Sequence, residues 1–188
     1  DFGEGVAARQ GGHIVLAPDL CYLERAYDDA KYGRFSENPL LDVVIPSLTD
    51  PSRVRGREQL LSVTMHYAPY RLREGHWDDL REVLAERVVA HLARHDPRLP
   101  EKILARHVIT PLDFERDYLL TEGHIFQGQT DLDQLFVMRP VGGYGRYRTP
   151  VRGLYLCGAG APPGGGVTGL PGFNASREIL HDLRTQRG

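Results

Sequence analysis

The strongest constraint on this chain is a glycine-rich segment between a short apolar run and a helix-like pattern. Residues 154–157, Leu-Tyr-Leu-Cys, are continuously apolar and flanked by glycines, which predicts a short buried strand of a parallel sheet. Beyond Thr168, apolar residues recur at helical spacing, which predicts a helix. Residues 158–169, called the glycine loop below, therefore lie at the carboxyl end of the predicted strand.

The composition of the glycine loop predicts a ligand contact. Its glycines stand at positions 158, 160, 164, 165, 166 and 169, and a backbone without Cβ atoms can adopt positive φ and approach a flat or charged ligand. The N-terminus of the following helix adds free N–H groups and partial positive charge, which favour an electron-rich group such as a phosphate. A flexible surface turn is the alternative, but flexible linkers mix glycine with serine, asparagine or charges, whereas this loop holds Pro162-Pro163.

Two better-known glycine motifs do not fit the spacing. A phosphate-binding P-loop needs a lysine after its last glycines, and Val167 stands at that position. A dinucleotide fingerprint opens a βαβ unit with a further strand and an acidic residue about 20 residues on, and only HDLRTQRG follows the predicted helix. We interpret the glycine loop as closing a nucleotide-binding domain.

Composition favours an ordinary globular fold. A net charge of −2 with 41% apolar and 26% charged residues gives no reason to expect a nucleic-acid partner. No apolar run approaches the roughly 20 residues of a membrane span. Cys21 and Cys157 lack the spacing of a disulfide framework or a zinc site. We expect Cys157, in the apolar run, to be a buried structural cysteine, and a reducing cytoplasmic setting by default.

The preceding residues predict an α+β arrangement. We expect strands over residues 13–16, 42–46, 60–67 and 106–109, with the second and third paired antiparallel. Predicted helices begin after Asp19 and end near Gly33, run from 77 to 94, and run from Thr110-Pro111 to Tyr118. His91 falls in the last turn of the second helix, where a basic residue suits the helix dipole. The glycine-rich residues 1–12 are expected to form a loop or a cut edge.

Several blocks of the chain, in order, resemble the C-terminal part of phytoene dehydrogenase-like, FAD-dependent oxidoreductases. The blocks are LLDVVIPSLTDPS (40–52), EGHIFQGQTDLDQLFVMRP (122–140), RYRTPVRGLYL, GLYLCGAG and PPGGGVTG. The family begins with a GxGxxG strand-turn-helix that holds the FAD pyrophosphate, and this chain has none. The resemblance therefore implies a fragment, with a substrate-binding lobe over residues 1–150 and a strand-loop-helix over 151–188 that completes an FAD-binding domain.

The resemblance also implies which residues contact FAD. The backbone at Gly158, Ala159 and Gly160 would pass the ribityl chain and pyrophosphate. A second group would lie beside the isoalloxazine ring: Gly165, Gly166, Val167 and Gly169. Many relatives have His-Pro where this chain has Pro162-Pro163, and Ala159 offers no acidic side chain, so no side-chain contact with the cofactor carries over from either position.

Among side chains, His124 in GHIFQG is the one candidate for an acid–base role. The alternative is a hydrogen-bonded structural histidine beside a glycine turn. Close relatives often have histidine at the position of Gln127. Asp131 and Asp133 make a poor cation site, and capping after Thr130 is the preferred interpretation; we expect no metal. Five aromatic residues are candidates for an apolar substrate tunnel, with core packing as the alternative: Tyr67, Tyr70, Trp77, Phe114 and Phe126.

The resulting hypothesis is the C-terminal portion of an FAD-dependent oxidoreductase that oxidises or isomerises a carbon skeleton, with a small, apolar substrate. Taken alone, the chain is expected to hold FAD weakly and to be inactive. A non-catalytic binding module that keeps the flavoprotein fold and an independent nucleotide-binding module are the alternatives. Membrane contact is left open, and we expect homodimerisation through surfaces that the missing half leaves exposed.

Overall fold

The computed structural model of the chain describes residues 13–129 and 131–185. It contains a small antiparallel sheet and several helices, so the predicted α+β class is confirmed. Contacts divide the chain into two compact units, Asp1–Pro111 and Leu112–Gly188. The division predicted at Pro150, with residues 1–150 as one lobe and 151–188 as the other, stays a prediction. The loop predicted over residues 1–12 lies outside the described residues, and so does Thr130.

The first unit is built on a three-stranded sheet. Strands β1 (Ile14–Leu16), β2 (Leu41–Val44) and β3 (Ser62–Met65) lie in the order β1-β2-β3, and both neighbouring pairs are antiparallel. Val43 pairs with Val63 in the β2–β3 register. This confirms the antiparallel pairing predicted from the alternating pattern in residues 60–67. Leu41 and Val43 are buried in the core that one face of the sheet shares with Leu92.

The first helix of this unit begins and ends as its capping signals predict. Helix α1 (Leu20–Lys31) starts after Asp19, whose carboxylate accepts the Tyr22 N–H at 2.7 Å, and it stops before Gly33, which has a φ of +71°. The next helices along the chain are α2 (Pro46–Thr49), α3 (Trp77–Ala93) and α4 (Leu99–Lys102). Helix α3 has acidic residues in its first turn, and α2 and α4 are short.

The strand predicted over residues 106–109 is wrong. These residues form no strand, and polar side chains tie them to α3. The Arg106 guanidinium pairs with Glu82 and Glu86, each at 2.7 Å. The Arg81 guanidinium donates to the Val108 carbonyl at 2.6 Å. An extended apolar segment becomes a strand only when another strand takes up its backbone hydrogen bonds, and here a helix supplies the contacts.

The second unit is helical at both ends and mostly turns between them. Helix α5 (Pro111–Tyr118) begins with proline at its first position, and α6 (Leu170–Thr185) follows the glycine loop, so both predicted helices are confirmed. Three 3₁₀ turns lie between them at Thr121–Gly123, Leu132–Gln134 and Phe136–Met138. None of the described helices combines the length and the apolar character needed to cross a bilayer.

Candidate functional site

A small buried cluster anchors the glycine loop to helix α6. Tyr147, Ala161 and Ala175 form this cluster. The Tyr147 hydroxyl donates to the Pro162 carbonyl at 2.8 Å and accepts a hydrogen bond from the Asn174 side-chain amide at 2.9 Å. One phenol thus connects the loop to the first half of the helix, and its hydroxyl both donates and accepts.

The segment before the glycine loop is a hairpin-like turn, so the predicted buried parallel strand is wrong. Its one bridge is antiparallel, between Arg148 and Tyr155, and the Leu156 N–H donates to the Tyr147 carbonyl at 2.7 Å. Leu154 is 52% exposed and Leu156 37% exposed. Among the described residues, no further strand lies beside this segment to bury its apolar side chains. The prediction of a buried thiol at Cys157 fails for the same reason, since Cys157 is exposed.

A charged network fastens the hairpin to α6. The Arg148 guanidinium donates to Asp182 at 2.6 and 2.8 Å and also pairs with Glu178, while the Tyr155 hydroxyl donates to Asp182 at 2.8 Å. Hydrogen bonds from Arg148 and Tyr155 hold the pKa of Asp182 well below its usual range. The same contacts raise the pKa of Arg148 and of Tyr155. The hairpin and the helix therefore share one network of charge-assisted hydrogen bonds.

Arg139 holds the inner side of the glycine loop. It is only 4% exposed, and its guanidinium donates to the Ala159 carbonyl and to the Gln129 carbonyl, both at 3.1 Å. The first carbonyl belongs to the glycine loop and the second to the turn formed by residues 126–129. One side chain therefore connects the two segments.

Two glycines of the loop are required by this packing. A Cβ atom at Gly164 would lie 2.9 Å from an Arg139 guanidinium nitrogen, and one at Gly165 would lie 2.8 Å from the Phe126 ring. Both distances are shorter than a carbon atom tolerates, so the inner side of the loop is closely packed against Arg139 and the 126–129 turn.

The other side of the loop is bare. A Cβ atom at Gly158 or Gly169 would meet no heavy atom within 4 Å, and one at Gly166 would meet only the Thr168 methyl group at 3.7 Å. Val167 is fully exposed and has a φ of +56°, a left-handed conformation that is rare for a β-branched residue. The outer side therefore offers open backbone and one strained apolar side chain.

The first turn of α6 offers fewer free donors than the sequence predicts. The Thr168 hydroxyl accepts the Leu170 N–H at 3.3 Å, and Pro171 has no N–H group. A helix leaves about four N–H groups unpaired at its start. Here the Leu170 N–H is already bonded and Pro171 has none, so fewer free donors face a ligand. The backbone of the glycine loop is correspondingly more important to the candidate site.

Comparison with known proteins gives relatives much longer than this chain. The pyridine nucleotide-disulfide oxidoreductase domain-containing protein 2 of Mus musculus is 40% identical over 168 residues, 88% of the chain and 29% of the relative. A limonene dehydrogenase subunit of Castellaniella defragrans is 29% identical over 140 residues, 73% of the chain and 24% of the relative. Phytoene desaturase (lycopene-forming) of Pantoea ananas is 33% identical over 90 residues, 47% of the chain and 18% of the relative. No protein-family model matches the chain.

The relatives indicate a pyridine nucleotide-disulfide oxidoreductase-like family. The names of the mouse and Castellaniella relatives are those of oxidoreductases. The chain spans 29% of the length of the mouse relative, so it corresponds to less than a third of that protein.

In the described structure, His124 has the contacts of a structural histidine. Its Nδ1 accepts the Phe126 N–H at 3.2 Å, and its ring lies 5.9 Å from the Phe126 ring, centroid to centroid. Gln127, with a φ of +57°, places its side-chain oxygen 4.0 Å from where a Cβ at Gly160 would lie. The 126–129 turn, which contains Gln127 and is bonded to His124 through the Phe126 N–H, therefore lies against the glycine loop as part of its support.

The remaining side-chain candidates are dispersed. Asp131 precedes a 3₁₀ turn without capping it through its side chain, and no group of three or more potential metal ligands occurs in residues 13–129 and 131–185. Trp77 is core, 3% exposed and stacked on Phe35, whereas Phe126 supports the glycine loop. Sequence reasoning missed Arg139 as a site residue. Its signal was an arginine directly after the apolar residues 135–138.

Proposed function

We propose that this chain is the C-terminal part of an FAD-dependent, phytoene dehydrogenase-like oxidoreductase, and that the outer side of its glycine loop contacts the flavin. One observation carries the proposal: the loop is packed on its inner side by Arg139 and Phe126 and bare on its outer side at Gly158 and Gly169. Backbone that is held rigidly and left uncovered fits a flat cofactor that must approach closely.

The residues present fit FAD through their backbone. The carbonyls of Gly158, Ala159 and Ala161 are engaged within the unit, by the Ala161 N–H, the Arg139 guanidinium and the Gly164 N–H. Seven residues are proposed to contact the cofactor: Gly158, Ala159, Gly160, Gly165, Gly166, Val167 and Gly169. N–H groups beside the ring would favour negative charge on the reduced flavin.

FAD, when bound, supplies the hydride or electron chemistry of such enzymes. The task of this chain is then to fix the loop, to keep water from one side of the ring and to position the substrate. No side chain of the unit is assigned as a catalytic acid or base, because the Nδ1 atom of His124 is already engaged. Two relatives are named for limonene and phytoene, which are hydrocarbons, and an apolar carbon skeleton is the proposed substrate class.

Gly158 offers a direct test in the full-length protein that contains this sequence. Gly158→Ala and the bulkier Gly158→Val add side chains to a position with open space and no positive φ, so both variants should fold. We expect wild type to carry FAD and Gly158→Val to lose most of it, because the added methyl groups occupy the space proposed for the cofactor. Gly142→Ala, outside the loop and 3.4 Å from the Met138 side chain, is the control and should keep its FAD.

Two results contradict the proposal in different ways. A full-length wild-type protein that binds no added FAD excludes the flavoenzyme. A Gly158→Val protein with wild-type FAD content excludes the loop as a contact. Bleaching of the flavin absorbance by apolar alkene or alkane substrates would support oxidation, whereas a flavin that no substrate reduces would favour a non-catalytic binding module.

A further inference from the structure

Arg139 is an unusual residue for the interior of this unit. A buried arginine is costly unless its charge is paired with an acid and its N–H groups are hydrogen-bonded. Its hydrogen bonds go to two backbone carbonyls, those of Ala159 and Gln129, and no carboxylate of the described residues forms an ion pair with it. Such a charge is retained when the planar guanidinium performs a geometric task that an apolar side chain cannot.

The backbone around Arg139 is shaped to receive it. A Cβ atom at Gly128 would lie 3.0 Å from one guanidinium nitrogen, and one at Gly164 would lie 2.9 Å from the other. Both glycines have positive φ, +152° and +105°. The chain therefore provides a side-chain-free space on each side of the guanidinium, one in the 126–129 turn and one in the glycine loop.

The Ala159 carbonyl, one of the two to which Arg139 donates, lies where the glycine loop has few other contacts. Ala159 lies between Gly158, where a Cβ atom would meet no heavy atom within 4 Å, and Gly160, where it would meet only the Gln127 side-chain oxygen at 4.0 Å, so little side-chain packing fixes either glycine. The same 126–129 turn supports Gly165 through the Phe126 ring. Arg139 therefore joins the two segments whose separation determines where the outer side of the loop lies.

We propose that Arg139 is a positioning residue for flavin binding: its guanidinium fixes the glycine loop on the 126–129 turn and so sets the place of the backbone groups that meet the cofactor. This inference rests on the proposed function. Arg139 acts through the loop and does not touch the cofactor. A lysine retains the charge but lacks the fork that reaches two carbonyls at once.

The test compares Arg139→Lys and Arg139→Met with wild type in the full-length protein. We expect FAD affinity to fall about tenfold or more in both variants, because each loses at least one charge-assisted hydrogen bond. The flavin midpoint potential should fall as well, since N–H groups that are out of place stabilise the reduced ring less. Arg152→Lys and Arg152→Met, at an exposed arginine of the same unit, are the matched controls and should leave both quantities unchanged.

A second measurement does not depend on flavin. Hydrogen exchange of the Ala161 and Gly164 amides, which bond within the loop at 3.0 and 2.9 Å, should accelerate in both Arg139 variants of the flavin-free protein. Unchanged exchange overturns the positioning role. Accelerated exchange with wild-type FAD affinity and potential overturns the link to flavin. A wild-type protein that binds no FAD removes the proposed function and this link with it, while the exchange result still decides whether Arg139 holds the loop.

Discussion

At the scale of single residues, His91 is a buried histidine whose hydrogen bonds define its tautomer. It is 6% exposed, its Nε2 lies 3.1 Å from the Tyr22 hydroxyl, and that hydroxyl donates to the Pro39 carbonyl at 2.9 Å. Since the hydroxyl proton is used on Pro39, Nε2 carries the hydrogen and donates to Tyr22. The other ring nitrogen, Nδ1, is buried without a partner. Sequence reasoning placed His91 as a charge for the helix dipole, and its burial contradicts that interpretation.

We therefore expect the first unit to lose stability in mild acid. Burial, with the charges of Arg94 and His95, lowers the pKa of His91 below the ordinary 6.5, so the unfolded chain binds the proton more readily. The contribution of neutral His91 to the free energy of unfolding is fully present above pH 6.5 and is lost as the pH falls through the lowered pKa of the folded state. Urea unfolding at several pH values, followed by the fluorescence of Trp77, the one tryptophan of the chain, measures this loss of stability.

The variant His91→Met should be less sensitive to pH across this window than wild type, because it removes the titrating group from the core. His107→Gln changes an exposed histidine of the same unit that does not act on the His91 pKa, so it serves as the control and should retain the wild-type sensitivity. Equal losses in wild type and His91→Met between pH 7.5 and roughly one unit below the ordinary histidine pKa would falsify the assignment.

Val167 is strained with no compensating contact within the unit. Left-handed backbone costs an L-residue about 1–2 kcal/mol, and the fully exposed side chain gains no burial in return. Val167→Gly removes that strain at an entropic cost of about 0.5–1 kcal/mol, so we expect a stability between that of wild type and about 1.5 kcal/mol higher. Urea unfolding by circular dichroism measures it. Val151→Gly, exposed and without positive φ, should instead destabilise by about 0.5–1 kcal/mol; equal losses in the two variants would contradict the strain.

At the scale of elements, the hairpin and α6 depend on Arg148. Its guanidinium reaches both Asp182 and Glu178, so Arg148→Met leaves two neighbouring carboxylates without their cation. We expect faster hydrogen exchange across the second half of α6, and a Tyr155 pKa that moves further from its ordinary value because the Asp182 charge is no longer offset. Arg184→Met, an exposed arginine on the same helix, is the control. Identical exchange in the two variants would show that the network does not stabilise the helix.

Some elements follow from the sequence and others do not, for physical reasons. Helices α1, α3 and α6 and strands β2 and β3 are predicted because their own residues carry the apolar period and the caps. Residues 154–157 are apolar and residues 106–109 include Val108 and Ile109, but a strand needs a partner, and local pattern does not reveal whether one is present. Arg139 is unpredictable for a related reason, since its carbonyl partners lie 10 and 20 residues away.

At the scale of the whole chain, α6 carries an apolar stripe that no described residue buries fully. Leu170, Phe173, Leu180 and Leu183 lie at helical spacing and are between 45% and 60% exposed. The opposite side of the helix faces the loop and hairpin through Ala175 and Asp182. Exposed apolar side chains on one side of a helix mark a surface that associates in water.

We therefore expect this 188-residue chain, when produced by itself, to self-associate through the four apolar residues of the α6 stripe, with Arg177 beside Phe173 on the same side of the helix. The weight-average mass from sedimentation velocity should rise with protein concentration. Leu180→Lys should suppress the rise, because it places a charge in the middle of the stripe and changes helix propensity little. Leu20→Lys, the same substitution at an 81% exposed position of α1, is the matched control and should associate like wild type. A wild-type mass that stays at one chain over the whole concentration range, or a Leu180→Lys variant that associates as strongly as Leu20→Lys, would show that the stripe does not drive association.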